Sequence, residues 1–83
     1  MKKLLYFSGT WCKPCKSFKP IMSQARQAGV VVEDVDVDQA QHIALKYNVR
    51  SIPTVILLNG EQEVNRFVGT RSLTEVINFW NGN

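Results

Sequence analysis

The sequence predicts an α/β fold in which a four-stranded mixed sheet carries helices on both faces. Apolar runs of strand length alternate with helical patterns, an Asn-Gly pair separates the last two strands, and neither repeats nor linkers interrupt the 83 residues. An apolar fraction of 45% against 20% charged residues is typical of a globular chain, and this length suits one domain over residues 1–83. The predicted order is βαβαββα.

The first half of the chain predicts a strand, a helix and a second strand. Residues 3–8 form a short apolar run that ends in a turn-like Ser-Gly-Thr. From residue 12 onward, apolar side chains recur at spacings of three and four, as on one face of a helix that ends at Ala28-Gly29. Valines that alternate with acids over residues 30–37 predict the next strand. A right-handed crossover through the helix would make the two strands parallel.

The second half predicts a short helix, a hairpin and a last helix. We expect Asp38 to cap the short helix, and His42 falls off its apolar side and therefore at the surface. Two strands flank the Asn-Gly hairpin signal, at residues 54–58 and 63–68. A Ser-Leu-Thr-Glu capping box then opens the last helix.

The composition argues against several classes of function. The longest apolar runs hold four residues, far short of the about 20 that cross a bilayer, so no membrane association is expected. The apolar start of the chain ends at Ser8, too early for the core of a secretory signal, so we expect a cytoplasmic protein. A net charge of +3, without an Arg-rich run or alternating basic and aromatic residues, argues against nucleic-acid binding.

The two cysteines are the most informative residues of the chain. A disulfide scaffold of this size needs more of them, and Cys12 and Cys15 with the one histidine are too few for a zinc site, so no metal is expected. Both lie in the basic part of the chain, because residues 1–30 hold six Lys or Arg and no acid. A bridge across so few residues stabilises a fold only slightly. Redox chemistry is therefore the better interpretation.

The cysteine pair lies where the first strand leads into the first helix. Free backbone N–H groups and the helix dipole stabilise an anion at a helix N-terminus, so we expect Cys12 to be the more acidic and more exposed thiol. Cys15 follows one turn later and should point toward the packed side of the helix. Lys13 adds a nearby positive charge that favours the thiolate. Pro14 is tolerated because the first turn has no acceptor for an N–H at that position.

Several segments resemble the thioredoxin family in order and spacing. The segment from Trp11 to Cys15, Trp-Cys-Lys-Pro-Cys, resembles its WCxPC active site, and the segment from Tyr47 to Thr54 resembles its Y-x-V-R-x-I-P-T. Further positions match at Pro20, Val37-Asp38, Asn59-Gly60 and Val68-Gly69. The resemblance spans nearly the whole chain and implies a minimal thioredoxin fold.

Carried over to these positions, the resemblance implies a thiol-disulfide oxidoreductase that reduces protein disulfides by dithiol exchange. Cys12 would attack a substrate disulfide and Cys15 would resolve the mixed disulfide, with no cofactor besides their own redox-active disulfide. Pro53 would be a cis-proline that faces the cysteines, and the backbone of Ile52 would pair with the substrate chain. An apolar groove would be formed with help from Trp11, Gly69 and Thr70. The implied partners are disulfide-containing proteins and a thioredoxin-reductase-like reductase, with the chain acting as a monomer.

The chain also departs from the family. The family has a buried Asp where this chain has Tyr6, and a buried Lys where it has Asp34. One hypothesis is that Asp34, on a strand expected to be central, is a buried proton acceptor for the thiols, and the alternative is a solvated acid at a sheet edge. Tyr6 is interpreted as a packing residue. Lys13 replaces a glycine and, by stabilising the Cys12 thiolate, would make the protein somewhat more oxidising.

Two other functions stay open from the sequence. The family usually has a strand and a helix before the active-site strand, with which this chain begins, so its outline is closer to that of a glutaredoxin recycled by glutathione. A binding module that uses the groove without redox chemistry is the third possibility. Lys13-Pro14 and the Ile-Pro-Thr segment at residues 52–54 favour thioredoxin behaviour.

Overall fold

The helices and strands of the computed structural model, which describes residues 1–83, follow the predicted order. They are β1 (Lys2–Ser8), α1 (Lys13–Gln27), β2 (Val32–Asp36), α2 (Gln41–Lys46), β3 (Thr54–Asn59), β4 (Gln62–Val68) and α3 (Leu73–Asn81). β2 starts later than predicted because the turn that ends α1 extends to Val30, whose N–H donates to the Ala25 carbonyl at 3.0 Å. None of the helices is long and apolar enough to cross a membrane.

The four strands form one mixed sheet in the order β2-β1-β3-β4. β1 pairs in parallel with β2 and antiparallel with β3, and β4 completes the hairpin with β3. The predicted parallel pair and hairpin are therefore confirmed. The expectation that the strand carrying Asp34 is central is wrong, because β2 is an edge strand. An alternating pattern specifies which face of a strand is buried, but the position in the sheet depends on where the crossovers place each strand.

Each face of the sheet has its own hydrophobic core, because side chains alternate along β1. Leu4 and Tyr6 pack with Phe18 beneath α1 and α3. Leu5 and Phe7 pack on the opposite face, against the apolar side of α2. Helices thus cover both faces, as predicted. Burying one side chain such as Phe18 stabilises the fold by about 2 kcal/mol, so these two layers hold the elements that carry the site.

The helix ends confirm one capping prediction and overturn another. At α3, the Ser72 hydroxyl accepts from the Glu75 N–H at 3.2 Å and the Glu75 carboxylate accepts from the Ser72 N–H at 3.1 Å, which is the predicted capping box. The prediction that Asp38 caps α2 is wrong, because the cap position is Ala40 and no side chain bonds the first turn. The turn before α2 is instead held by Asp36, whose carboxylate accepts from the N–H groups of Asp38 and the next residue.

Candidate active site

The candidate active site forms where β1 leads into α1. The Cys12 N–H donates to the Gly9 carbonyl at 3.2 Å, which closes the turn between strand and helix. The loop before β3 reaches the same place, since the Ile52 carbonyl oxygen lies 3.8 Å from the Cys12 sulfur. The loop after β4 joins it through Gly69, whose N–H donates to the Pro53 carbonyl at 2.8 Å. Three segments that are distant in sequence therefore meet at the cysteine pair.

Cys12 and Cys15 form a disulfide with their Cα atoms 5.3 Å apart. Cys12 is the N-cap of α1, and its sulfur accepts the Cys15 N–H at 3.2 Å. The prediction that Cys12 is the more exposed of the two is wrong, because both residues are 4% exposed. The physical reason is the cap itself: the sulfur turns back over the first helical turn, and the carbonyl of Ile52 lies against it.

The first turn of α1 carries the other two residues of the cysteine motif. Lys13 and Pro14 are the first two helical residues, and both are exposed. A proline is accommodated there as predicted, because first-turn N–H groups have no helical acceptor. No carboxylate lies within 4.0 Å of the Lys13 ammonium, since the ion pairs of the structure involve other residues. The charge of Lys13 is therefore available to an anion at the helix start.

The loop before β3 presents backbone to the cysteine pair. The Ile52–Pro53 peptide bond is cis, as the resemblance implied, and Pro53 is fully buried. In the disulfide, the Cys12 sulfur has no proton, so its approach to the Ile52 carbonyl is a contact and not a hydrogen bond. After reduction, a Cys12 thiol has this carbonyl as an acceptor. The loop is fixed by the Thr54 hydroxyl, which donates to the Ser51 carbonyl at 2.6 Å.

Trp11 forms one wall of an apolar groove beside the disulfide. Its indole is 64% exposed, and its Nε1–H donates to the Asp38 carboxylate at 2.7 Å, which fixes the ring. The groove measures about 180 Å³, and its walls are Trp11, Val37, Ala44, Val49, Arg50, Ser51 and Ile52. Gly69 and Thr70, which the resemblance implies help to form the substrate groove, are not among these lining residues. Gly69 contacts the neighbouring loop instead, through the hydrogen bond from its N–H to the Pro53 carbonyl.

Gly9 contributes to the groove in a way that the sequence pattern did not indicate. A Cβ atom at this position would lie 3.1 Å from Cδ1 of Ile52 and 3.1 Å from two atoms of the Trp11 indole. The absence of a side chain therefore lets the two groove walls approach each other. From the sequence, Gly9 was interpretable only as part of a turn, because a close approach between distant segments leaves no local signal.

Tyr6 bonds the backbone of the resolving cysteine. Its hydroxyl donates to the Cys15 carbonyl at 3.2 Å, and its ring packs edge-on against Phe18 with 5.6 Å between centroids. Burial raises the pKa of Tyr6, and the nearby Asp34 carboxylate raises this pKa further, so the hydroxyl keeps its proton and stays a donor. The interpretation of Tyr6 as a packing residue is correct but incomplete, since the side chain also ties β1 to the first turns of α1.

Asp34 is not the buried acid that the hypothesis required. Its side chain is 61% exposed on the edge strand β2, and it forms an ion pair with Arg26 at 2.7 Å. It shares with Cys15 and Tyr6 the walls of an open groove of about 450 Å³ beneath α1. The alternative interpretation, a solvated acid at a sheet edge, is the correct one. His42 is exposed as expected, and no group of three or more His, Cys, Asp or Glu side chains is placed to hold a metal ion.

Comparison with known proteins agrees with this geometry. The Thioredoxin family model matches residues 1–81. The chain belongs to the thioredoxin family. A thioredoxin of Chlamydia caviae is 35% identical over 80 residues, which cover 94% of this chain and 78% of that protein. A "Bifunctional thioredoxin reductase/thioredoxin" of Mycobacterium leprae is 38% identical over 71 residues, which cover 82% of this chain and 16% of that protein.

Solved thioredoxin structures superpose on this chain over its whole length. A structure of thioredoxin-2 from a malaria parasite superposes with a TM-score of 0.92 at 26% identity and covers 100% of this chain and 84% of that one. The minimal thioredoxin fold expected from the sequence is therefore confirmed. The chain spans about half the length of the rice thioredoxins of the H type that it also matches.

Proposed function

We propose that this chain is a thiol-disulfide oxidoreductase that reduces protein disulfides by dithiol exchange. The observation that carries the proposal is the Cys12–Cys15 disulfide at the start of α1, with the Cys12 sulfur on the helix cap and beside the backbone of Ile52. Membership of the thioredoxin family supports the same chemistry. As a protein-disulfide reductase, the chain would give two electrons per turnover to a substrate disulfide.

In the first step, the Cys12 thiolate attacks one sulfur of the substrate disulfide. A mixed disulfide forms between Cys12 and that sulfur, and the other substrate sulfur leaves as a thiolate that takes up a proton. The Cys15 N–H, 3.2 Å from the Cys12 sulfur, and the positive end of α1 stabilise the attacking thiolate.

In the second step, the Cys15 thiolate attacks the Cys12 sulfur of the mixed disulfide. The Cys12–Cys15 bond forms, the bond to the substrate breaks, and the second substrate thiol is released. In the product disulfide the two Cα atoms are 5.3 Å apart, within the range that a disulfide requires. The pair has then lost two electrons and the substrate has gained two.

The Ile52 backbone and the groove of Trp11 are the proposed docking site for the substrate chain. The loop before Pro53 offers the Ile52 carbonyl beside the Cys12 sulfur, and a substrate strand could pair with this backbone. The exposed indole of Trp11 supplies apolar contact next to the same sulfur. Both features would hold a substrate disulfide near the nucleophile without burying it in a closed pocket.

We further propose that a thioredoxin-reductase-like enzyme returns the Cys12–Cys15 pair to its dithiol form. The Mycobacterium leprae relative, which by its name joins both activities in one protein, supports this partner. A pair that must be reduced after each turnover works best in a reducing compartment, which supports the cytoplasm as its location and cell redox homeostasis as its role. The electrons pass only through the two sulfurs, so the proposal includes no further cofactor, and a monomer suffices.

Reduction of insulin tests the proposal. With dithiothreitol or a reductase as electron donor, the wild-type chain should precipitate the insulin B chain, and both Cys12→Ser and Cys15→Ser should lose this activity. Circular dichroism of each variant shows whether it is folded. An inactive wild type would refute the proposal and favour a binding module, and a Cys15→Ser variant that stays active with glutathione would favour a glutaredoxin-like enzyme instead.

A further inference from the structure

Unpaired cations gather around the active site. Five exposed residues, here called the basic rim, are Lys13, Lys16, Lys19, Arg50 and Arg71. The three salt bridges of the structure are Lys3–Glu33, Arg26–Asp34 and Arg66–Glu63. No residue of the basic rim therefore forms a salt bridge within the chain.

The basic rim comes from three segments that meet at the cysteine pair. Lys13 lies between the cysteines in the sequence, and Lys16 and Lys19 line the groove beneath α1 together with Cys15. Arg50 lines the apolar groove next to Trp11. Arg71 follows the loop that bonds Pro53, and its guanidinium lies 4.8 Å from the centroid of the Phe67 ring. A solvated helix face would explain the lysines of α1 alone, but not the two arginines on separate loops.

Three acids lie beside the basic rim, since Asp34 and Asp36 line the groove beneath α1 and the Asp38 carboxylate lies against Trp11. Arg26 pairs with Asp34, so the other two carboxylates offset part of the charge of the basic rim. The Asp38 carboxylate accepts from the Trp11 indole, and the Asp36 carboxylate accepts backbone N–H groups in its own turn. Glu75 completes the capping box of α3, and Glu61 lies at the tip of the β3–β4 hairpin, at the opposite end of the sheet. The five cations of the basic rim outnumber these carboxylates, so an excess of positive charge remains where a substrate would approach.

We propose that the basic rim selects substrates whose disulfide is flanked by acidic residues, an inference that rests on the proposed reductase function. Charge complementarity raises the rate of productive encounter and disfavours cationic competitors. An acidic polypeptide is the fitting occupant because the basic rim borders an apolar groove and the Ile52 backbone, which suit a peptide chain. The exposed aromatic surface is the single indole of Trp11, whereas single-stranded nucleic acids bind on rows of stacking aromatic residues.

Three synthetic peptides test the proposal. They share one intramolecular disulfide and differ only in the flanking residues, which are Asp, Asn or Lys. The kcat/KM for reduction is measured at 20 mM and at 500 mM salt. We expect the Asp peptide to exceed the Lys peptide about tenfold at low salt, and the ratio to fall toward one at high salt, where charges are screened over a few ångströms.

Two double variants distinguish the effect of the basic rim on selectivity from the effect of the net charge of the chain. Lys16→Gln with Arg50→Gln should lower the Asp-to-Lys ratio about threefold. The matched control, Lys2→Gln with Lys3→Gln, removes the same charge at the far end of β1, about 20 Å from the site, and should keep the ratio. Equal rates for the Asp and Lys peptides at low salt, or equal effects of the two double variants, would overturn the proposal.

Two further outcomes are distinguishable. Failure to reduce the Asn peptide would overturn the reductase function itself, whereas its reduction with no preference among the peptides would overturn only the selectivity. A cysteine-free acidic peptide should inhibit reduction of the Asp peptide. Stronger inhibition by a single-stranded oligonucleotide of equal charge would show that the basic rim prefers nucleic acid and would also overturn the proposal.

Discussion

Replacing Tyr6 by phenylalanine isolates the hydrogen bond between β1 and the resolving cysteine. The ring would keep its edge-on contact with Phe18, and only the hydroxyl that donates to the Cys15 carbonyl would be lost. This carbonyl also lies inside α1, where the N–H four residues later is its ordinary partner, so it is not left without a donor. We therefore expect a loss of about 1 kcal/mol in the free energy of unfolding, the usual net value of one such bond.

Thermal unfolding of the oxidised protein measures this loss. For a chain of this size, about 1 kcal/mol lowers the Tm by about 4–8 °C. The matched control is Tyr47→Phe, which makes the same chemical change at a hydroxyl that forms no hydrogen bond within the chain and should shift the Tm by less than half as much. A Tyr6→Phe protein as stable as the wild type, or an equal loss in both variants, would refute the assignment of this bond.

The same variant connects the bond to the chemistry. Because the Tyr6 hydroxyl holds the backbone of Cys15, its loss should slow the resolution step more than the attack by Cys12. Reaction of the reduced protein with an aromatic disulfide releases one coloured thiolate in each step, so stopped-flow absorbance separates them. We expect the second release to slow about fivefold, equivalent to about 1 kcal/mol, with the first unchanged. Equal slowing of both steps would indicate a general disturbance of the fold.

Three other predictions follow from the site and its surroundings. Gly9→Ala should raise KM for insulin about tenfold with kcat unchanged, because the added methyl pushes apart the groove walls, and an unchanged KM would contradict that close approach. The hydrogen bond from Arg66 lowers the pKa of Glu63 below its usual 4.5, so this pair stabilises the fold at neutral pH and stops doing so as the pH falls through the lowered pKa. Urea unfolding at pH 7 and pH 3 should therefore show about 0.5 kcal/mol less acid destabilisation in Glu63→Gln than in the wild type, and an equal loss in both would refute the role of the pair. Asp34→Asn should leave the pH profile of insulin reduction unchanged, and a shifted profile would reinstate this acid as a proton acceptor.

Most of the fold could be predicted from the local spacing of apolar and polar residues in the sequence. Strand and helix patterns predicted the element order, and Ser72 with Glu75 predicted the start of α3, because capping depends on residues a few positions apart. The position of β2 at the sheet edge could not be predicted in this way. It depends on contacts between distant strands, and the misplacement of Asp34 followed directly from it.

The same distinction between local and distant residues decides which features of the candidate site could be predicted. The cysteine pair and Pro53 were predictable because their motifs are local in the sequence. Three other features of the site could not be predicted, because each depends on segments that only the folded chain brings together. They are the hydrogen bond from Trp11 to Asp38, the hydrogen bond from Tyr6 to Cys15 and the space left by Gly9. A single hydroxyl or glycine produces no periodic pattern in the sequence, so its role can be recognised only when the structure shows the residue that it contacts.

The reacting sulfur of Cys12 is also the atom that caps α1. When the reduced Cys12 thiol loses its proton, the neutral sulfur at this position becomes a thiolate, which is a much stronger acceptor for the Cys15 N–H. Each catalytic cycle would therefore alternately tighten and loosen the first turn of the helix that carries both cysteines. The choice of inactive variant matters for the same reason, since serine at position 12 leaves the helix capped and alanine does not. In this chain, the hydrogen bond from the Cys15 N–H to the Cys12 sulfur therefore couples the stability of α1 to the redox state of the cysteine pair.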